Sequence, residues 1–165
     1  MKSKILIFAI AIFTMLFVNN LYSQVKIGEI TSSGATITHD LNDLLQALEK
    51  EYESNTPITL VTAKIHITND NVYYLIGCAS GDKDKISVKL EKDPANNNLY
   101  ICRGAGVEKQ WCDGCDNVEC QLNYNGKGEP DGCKEVSCPA DKFCNHHIST
   151  GPGIIFVERY LQKKK

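Results

Sequence analysis

The alternation of apolar and polar positions divides the chain into one helical segment and a series of short strand-like segments. Between residues 40 and 54, leucines and a tyrosine recur at the three- and four-residue spacing that places them on one face of a helix. Asp40 precedes this stripe in the position of an N-cap, and Asn55-Thr56-Pro57 follows it as a stop signal. The pattern therefore predicts a single amphipathic helix over 40–54.

Strand-like segments surround the helix and are separated by clusters of Gly, Asn and Asp. They lie at 25–30, 35–39, 58–67, 72–79, 86–91, 99–102 and 154–160. Consecutive short strands favour an antiparallel meander, and one helix lying on one face of it closes a small core. The expected fold class is α+β: one amphipathic helix packed on an antiparallel β-meander, with a C-terminal disulfide-rich lobe of loops and a hairpin.

The first 23 residues have the layout of a signal peptide. Lys2 and Lys4 precede an apolar run from Ile5 to Val18, and Ser23 supplies a small residue at a plausible cleavage point. The run is shorter than the roughly 20 apolar residues that a spanning helix needs. We therefore expect an exported protein, periplasmic or extracellular, with no membrane association after signal removal. A retained N-terminal anchor is the alternative.

The charge balance argues against nucleic acid as a partner. The whole chain carries a formal net charge of −2, and residues 1–23 hold two lysines and no acids, so their removal leaves −4. Nucleic-acid binding requires a basic surface, which this balance does not favour. The expected organisation is a signal peptide at 1–23, an α+β core at 24–106, a cysteine-rich lobe at 107–147, and a final strand with a basic tail at 148–165.

The cysteines are the strongest chemical signal in the sequence. In an oxidising compartment they are expected to form disulfides that stabilise a lobe with few aliphatic residues. Eight cysteines allow on the order of a hundred pairings, so the connectivity stays open. A bridge between Cys78 and Cys102 is one expectation, and a bridge from Cys102 to the lobe is the alternative. The predicted disulfide cysteines are Cys78, Cys102, Cys112, Cys115, Cys120, Cys133, Cys138 and Cys144.

The cysteine-rich segment also contains a near-repeat. The pattern D-G-C-x-x-V-x-C begins at Asp113 and again at Asp131. Between the two copies, Asn125-Gly126 predicts a hairpin with a type I′ turn. The two copies can arise by duplication, or because both are turn-then-strand pieces.

Two alternatives give these cysteines a chemical role. The W-C-x-x-C segment at 111–115 resembles the motif of thioredoxin-like oxidoreductases, which implies thiol–disulfide exchange at Cys112 and Cys115. That family places a buried strand before the motif and a long helix after it, whereas Gly-, Asn- and Pro-rich sequence follows here. The second alternative is a structural zinc ion held by Cys133, Cys138, Cys144 and His146, although this spacing fits no common zinc module.

The leading functional hypothesis is a non-enzymatic binding or interaction module that needs no cofactor. No serine-centred elbow or pair of catalytic carboxylates stands out in the sequence. Such a module would present a rigid, cross-linked surface to another protein or to a glycan. Trp111 and Tyr124 are the aromatic residues that we predict for this surface, and packing against the lobe's own disulfides is their alternative role.

Overall fold

The protein folds mainly into antiparallel β-strands. The computed structural model describes residues 24–52, 57–102, 107–115, 119–135, 138 and 141–151. Within these ranges the chain forms one helix, α1, and ten strands, β1 to β10. In chain order they are β1 Gln24–Thr31, β2 Gly34–Ile37, α1 Leu41–Glu51, β3 Thr62–Ile67, β4 Tyr73–Ala79, β5 Lys83–Lys92, β6 Asn98–Cys102, β7 Val107–Gly114, β8 Cys120–Tyr124, β9 Pro130–Glu135 and β10 Cys144–Gly151.

Strand β5 organises the main sheet because it pairs with three other strands. One of its edges follows β4, which in turn pairs with β3. Its other edge is shared: the segment 86–88 pairs with β7, and Glu91 and Lys92 pair with β6. From there the sheet continues through β6 to β1 and β2 on one side, and through β7 to β10 on the other. Strands β8 and β9 form a separate hairpin.

The outer strands of this sheet curve toward each other and nearly close a barrel. At Gly28 in β1, a Cβ atom would lie 2.3 Å from the Thr36 carbonyl oxygen of β2 and 2.6 Å from Cδ1 of Ile65 in β3. The absence of a side chain at Gly28 therefore lets β2 and β3 approach. The register of β1 against β6 also shifts between Lys26 and Gly28, and such a bulge increases strand curvature.

The single helix fills the concave side of this sheet. Asp40 is its N-cap, and the Asp40 side chain accepts a 3.0 Å hydrogen bond from the Asp43 amide. Leu44, Ala47 and Leu48 are completely buried. A Cβ at Gly77 in β4 would lie 3.1 Å from the Leu48 side chain, so the helix packs closely on the sheet at that point. The predicted helix is confirmed, although it ends at Glu51 rather than at residue 54.

The predicted α+β fold class is wrong. The helix is short, and the sheet is a nearly closed barrel rather than a meander under a helix. The predicted strands between 25 and 102 overlap β1 to β6, whereas β7 and the start of β10 lie in the segment that was expected to contain loops and one hairpin. The pairing of all these strands depends on contacts between distant parts of the chain. The first strand joins β6, and β5 divides one edge between two partners. The predicted strand at 154–160 and the signal peptide lie outside the described residues.

The cysteine-rich segment begins and ends within the main sheet. Strands β7 and β10 pair along their whole length, from Val107 opposite Gly151 to Gly114 opposite Cys144. Between them, the β8–β9 hairpin folds back over the convex side of the sheet, where Gly128 accepts a hydrogen bond from His66 at 2.6 Å if Nε2 carries the proton. The predicted type I′ turn is wrong, because the positive φ falls at Gly128 and not at Gly126.

The side chain of Asn125 explains the turn that forms instead. Its Oδ1 atom accepts hydrogen bonds from the amides of Lys127 and Glu129, at 2.9 and 3.0 Å. Asparagine side chains that bond to the backbone in this way stabilise a longer loop than the two-residue turn.

Candidate functional site

The β8–β9 hairpin covers the convex face of strands β3 to β5 and creates a buried polar layer. The Asn69 amide donates to the Lys127 carbonyl at 2.9 Å, and the Lys127 ammonium pairs with Asp70 at 2.9 Å. Further along, Lys83 pairs with Glu119 at 3.2 Å. The hairpin is therefore held on the sheet by polar contacts at both ends.

A bulge in β5 places two charged residues in succession under this hairpin. In the pairing of β4 with β5, Gly77 lies opposite Ile86. The next residue of β4, Cys78, lies opposite Asp84, so the pairing skips Lys85. The skipped residue breaks the two-residue alternation, and both Asp84 and Lys85 then bond with groups on the convex side.

Asp84 is the centre of one polar cluster. Its carboxylate accepts hydrogen bonds from the Tyr124 hydroxyl at 2.6 Å and the Cys78 thiol at 3.2 Å, and pairs with the Lys64 ammonium at 2.7 Å. Burial by itself would raise the pKa of Asp84, but the bonds from Lys64, Tyr124 and Cys78 outweigh it and lower that pKa. The cluster therefore keeps a buried carboxylate ionised.

The thiol of Cys78 is unreactive in this setting. Burial, followed by the hydrogen bond to Asp84 and the charge of that carboxylate, raises the pKa of Cys78 to about 12. A thiol that is protonated at neutral pH is a poor nucleophile and a poor metal ligand. Tyr124 is affected similarly, since burial and the bond to Asp84 raise its pKa.

Lys85 is the second buried charge under the hairpin. It is completely buried, and its ammonium donates to the backbone carbonyl of Cys120. Burial and the nearby charge of Lys83 lower the pKa of Lys85 to about 8, while Glu119 opposes the change. Ser87, also buried in β5, has no hydrogen-bond partner for its hydroxyl among the described residues.

Three disulfides cross-link the cysteine-rich segment. The six cysteines between positions 112 and 144 pair first with fourth, second with fifth and third with sixth. The bonds are Cys112–Cys133, Cys115–Cys138 and Cys120–Cys144, at Cα–Cα distances of 5.8, 5.6 and 5.5 Å. They connect β7, the hairpin and the start of β10 into one unit. Each closes a loop of 21 to 24 residues, for which chain entropy predicts about 3 kcal/mol of stabilisation.

The expected bridge between Cys78 and Cys102 does not form. Cys78 is a free thiol in the structure. It lies opposite Asp84 near the beginning of β5, whereas β6 meets β5 at its opposite end, near Glu91 and Lys92. The length of β5 therefore separates the two positions, and the side chain of Cys102 lies outside the described part of the chain.

The W-C-x-x-C segment does not have the geometry of a redox motif. Cys112 and Cys115 are bonded to different partners, so they do not form the exchangeable pair that the motif implies. Trp111 and Cys112 lie within strand β7, where no helix N-terminus lowers a thiol pKa.

The predicted zinc ligands are likewise not assembled. Cys133, Cys138 and Cys144 are each oxidised, in three different disulfides. The His146 imidazole forms a 2.9 Å hydrogen bond with the Gln110 side chain instead of approaching the sulfurs. Burial lowers the pKa of His146, and neighbouring His147 lowers it further against the opposing charge of Asp131.

Trp111 is a buried core residue and not part of an exposed surface. It is 5% exposed, and it stacks on the His147 ring with centroids 4.9 Å apart. The Lys109 ammonium lies 5.5 Å from the Trp111 centroid and pairs with Glu51 at the end of the helix. Tyr124 is also half-buried and bonded to Asp84. Tyr124 packs against the cluster of Cys112, Cys115 and Cys120, as its alternative role predicted, whereas Trp111 packs in the main core and not against the disulfides.

The same strands hold an acid–base pair that the sequence did not indicate. His147 Nε2 lies 2.9 Å from Asp113 Oδ1, on neighbouring strands β10 and β7. The contact links the side chains of the two strands, and in the described part of the chain no hydroxyl or thiol is hydrogen-bonded to His147. The two residues are 34 positions apart in the sequence, so their proximity can be recognised only once the pairing of β7 with β10 is known.

The apolar side chains that protrude from the cross-linked region lie at β10. Phe143 is 70% exposed and immediately precedes this strand, and Ile148 within it is 61% exposed. Among the described residues, β10 pairs only with β7 and is thus an outer strand of the sheet. None of its eight residues is Lys, Arg, Asp or Glu.

Comparison with known proteins supplies no relative: no family model matches this chain, and neither curated proteins nor solved structures show significant similarity to it. Three intramolecular disulfides are typical of exported proteins. In the described ranges, no helix has both the length and the apolar character that a membrane crossing requires.

Proposed function

We propose that this protein is an exported, disulfide-stabilised, non-enzymatic module that binds an extended segment of another protein along strand β10. The observation that carries the proposal is the combination of an outer strand without charged residues and two protruding apolar side chains, Phe143 and Ile148. Sheet edges that are not used for binding commonly carry lysine, proline or other charges that prevent pairing with a further strand.

The disulfides support this function by making the strand rigid. Cys144, the first residue of β10, is bonded to Cys120 of the hairpin, and the whole strand pairs with β7. A preorganised edge loses little conformational entropy when a partner strand adds to it. Backbone hydrogen bonds would then supply affinity, and apolar partner side chains beside Ile148 would supply selectivity.

The chemistry inside the module supports binding rather than catalysis. The two buried charges under the hairpin are engaged in internal bonds, Asp84 with three donors and Lys85 with a backbone carbonyl. These contacts stabilise the hairpin on the sheet. Asp84 and Lys85 are buried beneath the hairpin on the convex face.

The test uses a probe that does not require a known partner. Peptides of a random phage-displayed library are selected on the oxidised protein, and their affinities are measured by biolayer interferometry. We expect Ile148→Lys to abolish binding, because a charge on the edge opposes strand addition. Val61→Lys is the matched control, since Val61 is 54% exposed but precedes β3.

Hydrogen exchange of the complex provides the second measurement. Amides of β10 should become protected when a selected peptide binds. Peptides that bind Ile148→Lys as tightly as the parent, or that protect other strands instead, would refute the proposal.

A further inference from the structure

The sulfur atoms of two disulfides lie unusually close together. Sγ of Cys138, bonded to Cys115, is 3.8 Å from Sγ of Cys144, bonded to Cys120. The sulfurs of Cys120, Cys138 and Cys144 all lie within 4.8 Å of one another. Cys115, which follows β7, joins these three cysteines through its bond to Cys138.

We propose that these four cysteines, Cys115, Cys120, Cys138 and Cys144, form a binding site for one zinc ion when the two disulfides are reduced. A tetrahedral zinc site with Zn–S bonds of about 2.3 Å has sulfur–sulfur edges of about 3.8 Å. The contact between Cys138 and Cys144 already has this length. Breaking the two S–S bonds lets the other sulfurs separate to the same spacing.

The reaction balances with a dithiol as the reductant. Each disulfide accepts two electrons and two protons from one dithiol, which is oxidised to its own cyclic disulfide, so that two dithiols yield four cysteine thiols. Binding of Zn²⁺ then releases the four thiol protons, since the thiolate is the ligand. The product is a zinc tetrathiolate with a net charge of −2.

The surroundings of the site fit this product. Cys115 is 5% exposed and Cys120 is fully buried, whereas Cys138 and Cys144 are partly buried, so the site lies at the margin of the buried region. The buried ammonium of Lys85 donates to the Cys120 carbonyl and places a positive charge next to the thiolates. A zinc tetrathiolate would place a negative charge near this buried cation.

The site differs from the ligand set predicted from the sequence. It excludes Cys133, which is bonded to Cys112, and His146, which is bonded to Gln110. Cys138 and Cys144 are common to both sets. The remaining two ligands are recognisable only after β7, the hairpin and β10 are folded together.

The experiment follows Co²⁺, which reports tetrahedral thiolate ligation through its visible absorption bands. The purified full chain is reduced with dithiothreitol under argon, the reductant is removed by gel filtration, and Co²⁺ is titrated, followed by displacement with Zn²⁺. We expect one Co²⁺ per chain with thiolate bands, and loss of these bands when Zn²⁺ is added. The oxidised protein should show no bands.

Two double variants distinguish this site from general binding by reduced cysteines. Cys112→Ala/Cys133→Ala should retain the bands, whereas Cys115→Ala/Cys138→Ala should lose them. Fluorescence of Trp111, the only tryptophan in the chain, shows whether each reduced protein remains folded. Absence of bands in the reduced parent, folded or unfolded, would overturn the proposal, as would bands that disappear in Cys112→Ala/Cys133→Ala.

Discussion

Replacement of Lys85 by methionine should remove a rise in the free energy of unfolding between pH 7 and pH 9. Lys85 is completely buried beneath the hairpin, where burial and Lys83 lower its pKa to about 8. Between about pH 8 and its ordinary value of 10.5, the unfolded chain binds more protons at this position than the folded chain. The free energy of unfolding must therefore rise with pH in this window.

The magnitude follows from the two pKa values of Lys85. The gap between 10.5 and about 8 corresponds to a cost of about 3 kcal/mol for holding the charged side chain in the fold at low pH. About 1 kcal/mol of this cost is recovered between pH 7 and pH 9. Above pH 9 the raised pKa of Cys78 acts in the opposite direction, because the thiol ionises in the unfolded chain first.

In Lys85→Met the side chain keeps its length but loses its charge. The variant also loses the hydrogen bond to the Cys120 carbonyl, which costs about 1 kcal/mol. At pH 7 we therefore expect it to be more stable than the parent by about 1–2 kcal/mol, with no rise in stability between pH 7 and pH 9. Lys89→Met is the matched control, since Lys89 lies exposed on the same strand and should leave the parent's pH dependence unchanged.

Urea denaturation of the oxidised proteins, followed by the fluorescence of buried Trp111, measures the free energy of unfolding at pH 7, 8 and 9. Peptide mapping without reductant before and after each experiment verifies that the disulfides have not rearranged. Equal pH dependence in the parent and Lys85→Met would show that Lys85 is not held as a buried charge.

Three further substitutions test the fold and the polar layer. Gly28→Ala should lower the free energy of unfolding by about 1–3 kcal/mol, because its Cβ has no space, whereas Gly126→Ala, with open space around it, should be nearly neutral in thermal denaturation. Leu48→Ala should lower the free energy of unfolding by about 2–5 kcal/mol, and Leu41→Ala by much less, because Leu48 is fully buried and Leu41 is exposed. Equal losses for the two variants in urea denaturation would contradict the described helix packing. Because the pKa of Asp84 is lowered in the fold, its carboxylate stabilises the protein above the ordinary carboxyl range, and this stabilisation is lost as pH falls below that range. Asp84→Asn should remove this part of the loss of stability in acid, and an unchanged acid denaturation profile would contradict the role of Asp84.

Local patterns in the sequence predicted the elements of this fold but not their arrangement. The Asp40 cap and the leucine spacing that follows it are local, and they specified the helix. The first six strands were also close to their observed positions because their turns are marked by Gly, Asn and Asp, whereas β7 and β10 were not predicted as strands. Closure of the barrel depends on the approach of β3 to Gly28, a contact that spacing along the chain does not encode.

The candidate site was predicted less well than the elements. Lys85 precedes an alternation in which Ile86 and Val88 face the core, and alternation alone would place it with the solvent-facing residues. The bulge in β5 and the hairpin that folds over it bury Lys85 instead. Trp111 directly precedes Cys112 in the sequence, yet its side chain lies in the core beside His147.

By itself, the sequence determined an amphipathic helix among short strands and a cysteine-rich segment that was expected to be cross-linked. Those conclusions rest on side-chain spacing, turn residues and cysteine content, all of which are local or additive properties. The tertiary structure alone decided which cysteines are bonded, which charges are buried and which apolar side chains protrude at β10. Each of these depends on strand pairing between residues far apart in the chain, and pairing is set by the whole packed sheet rather than by any one segment.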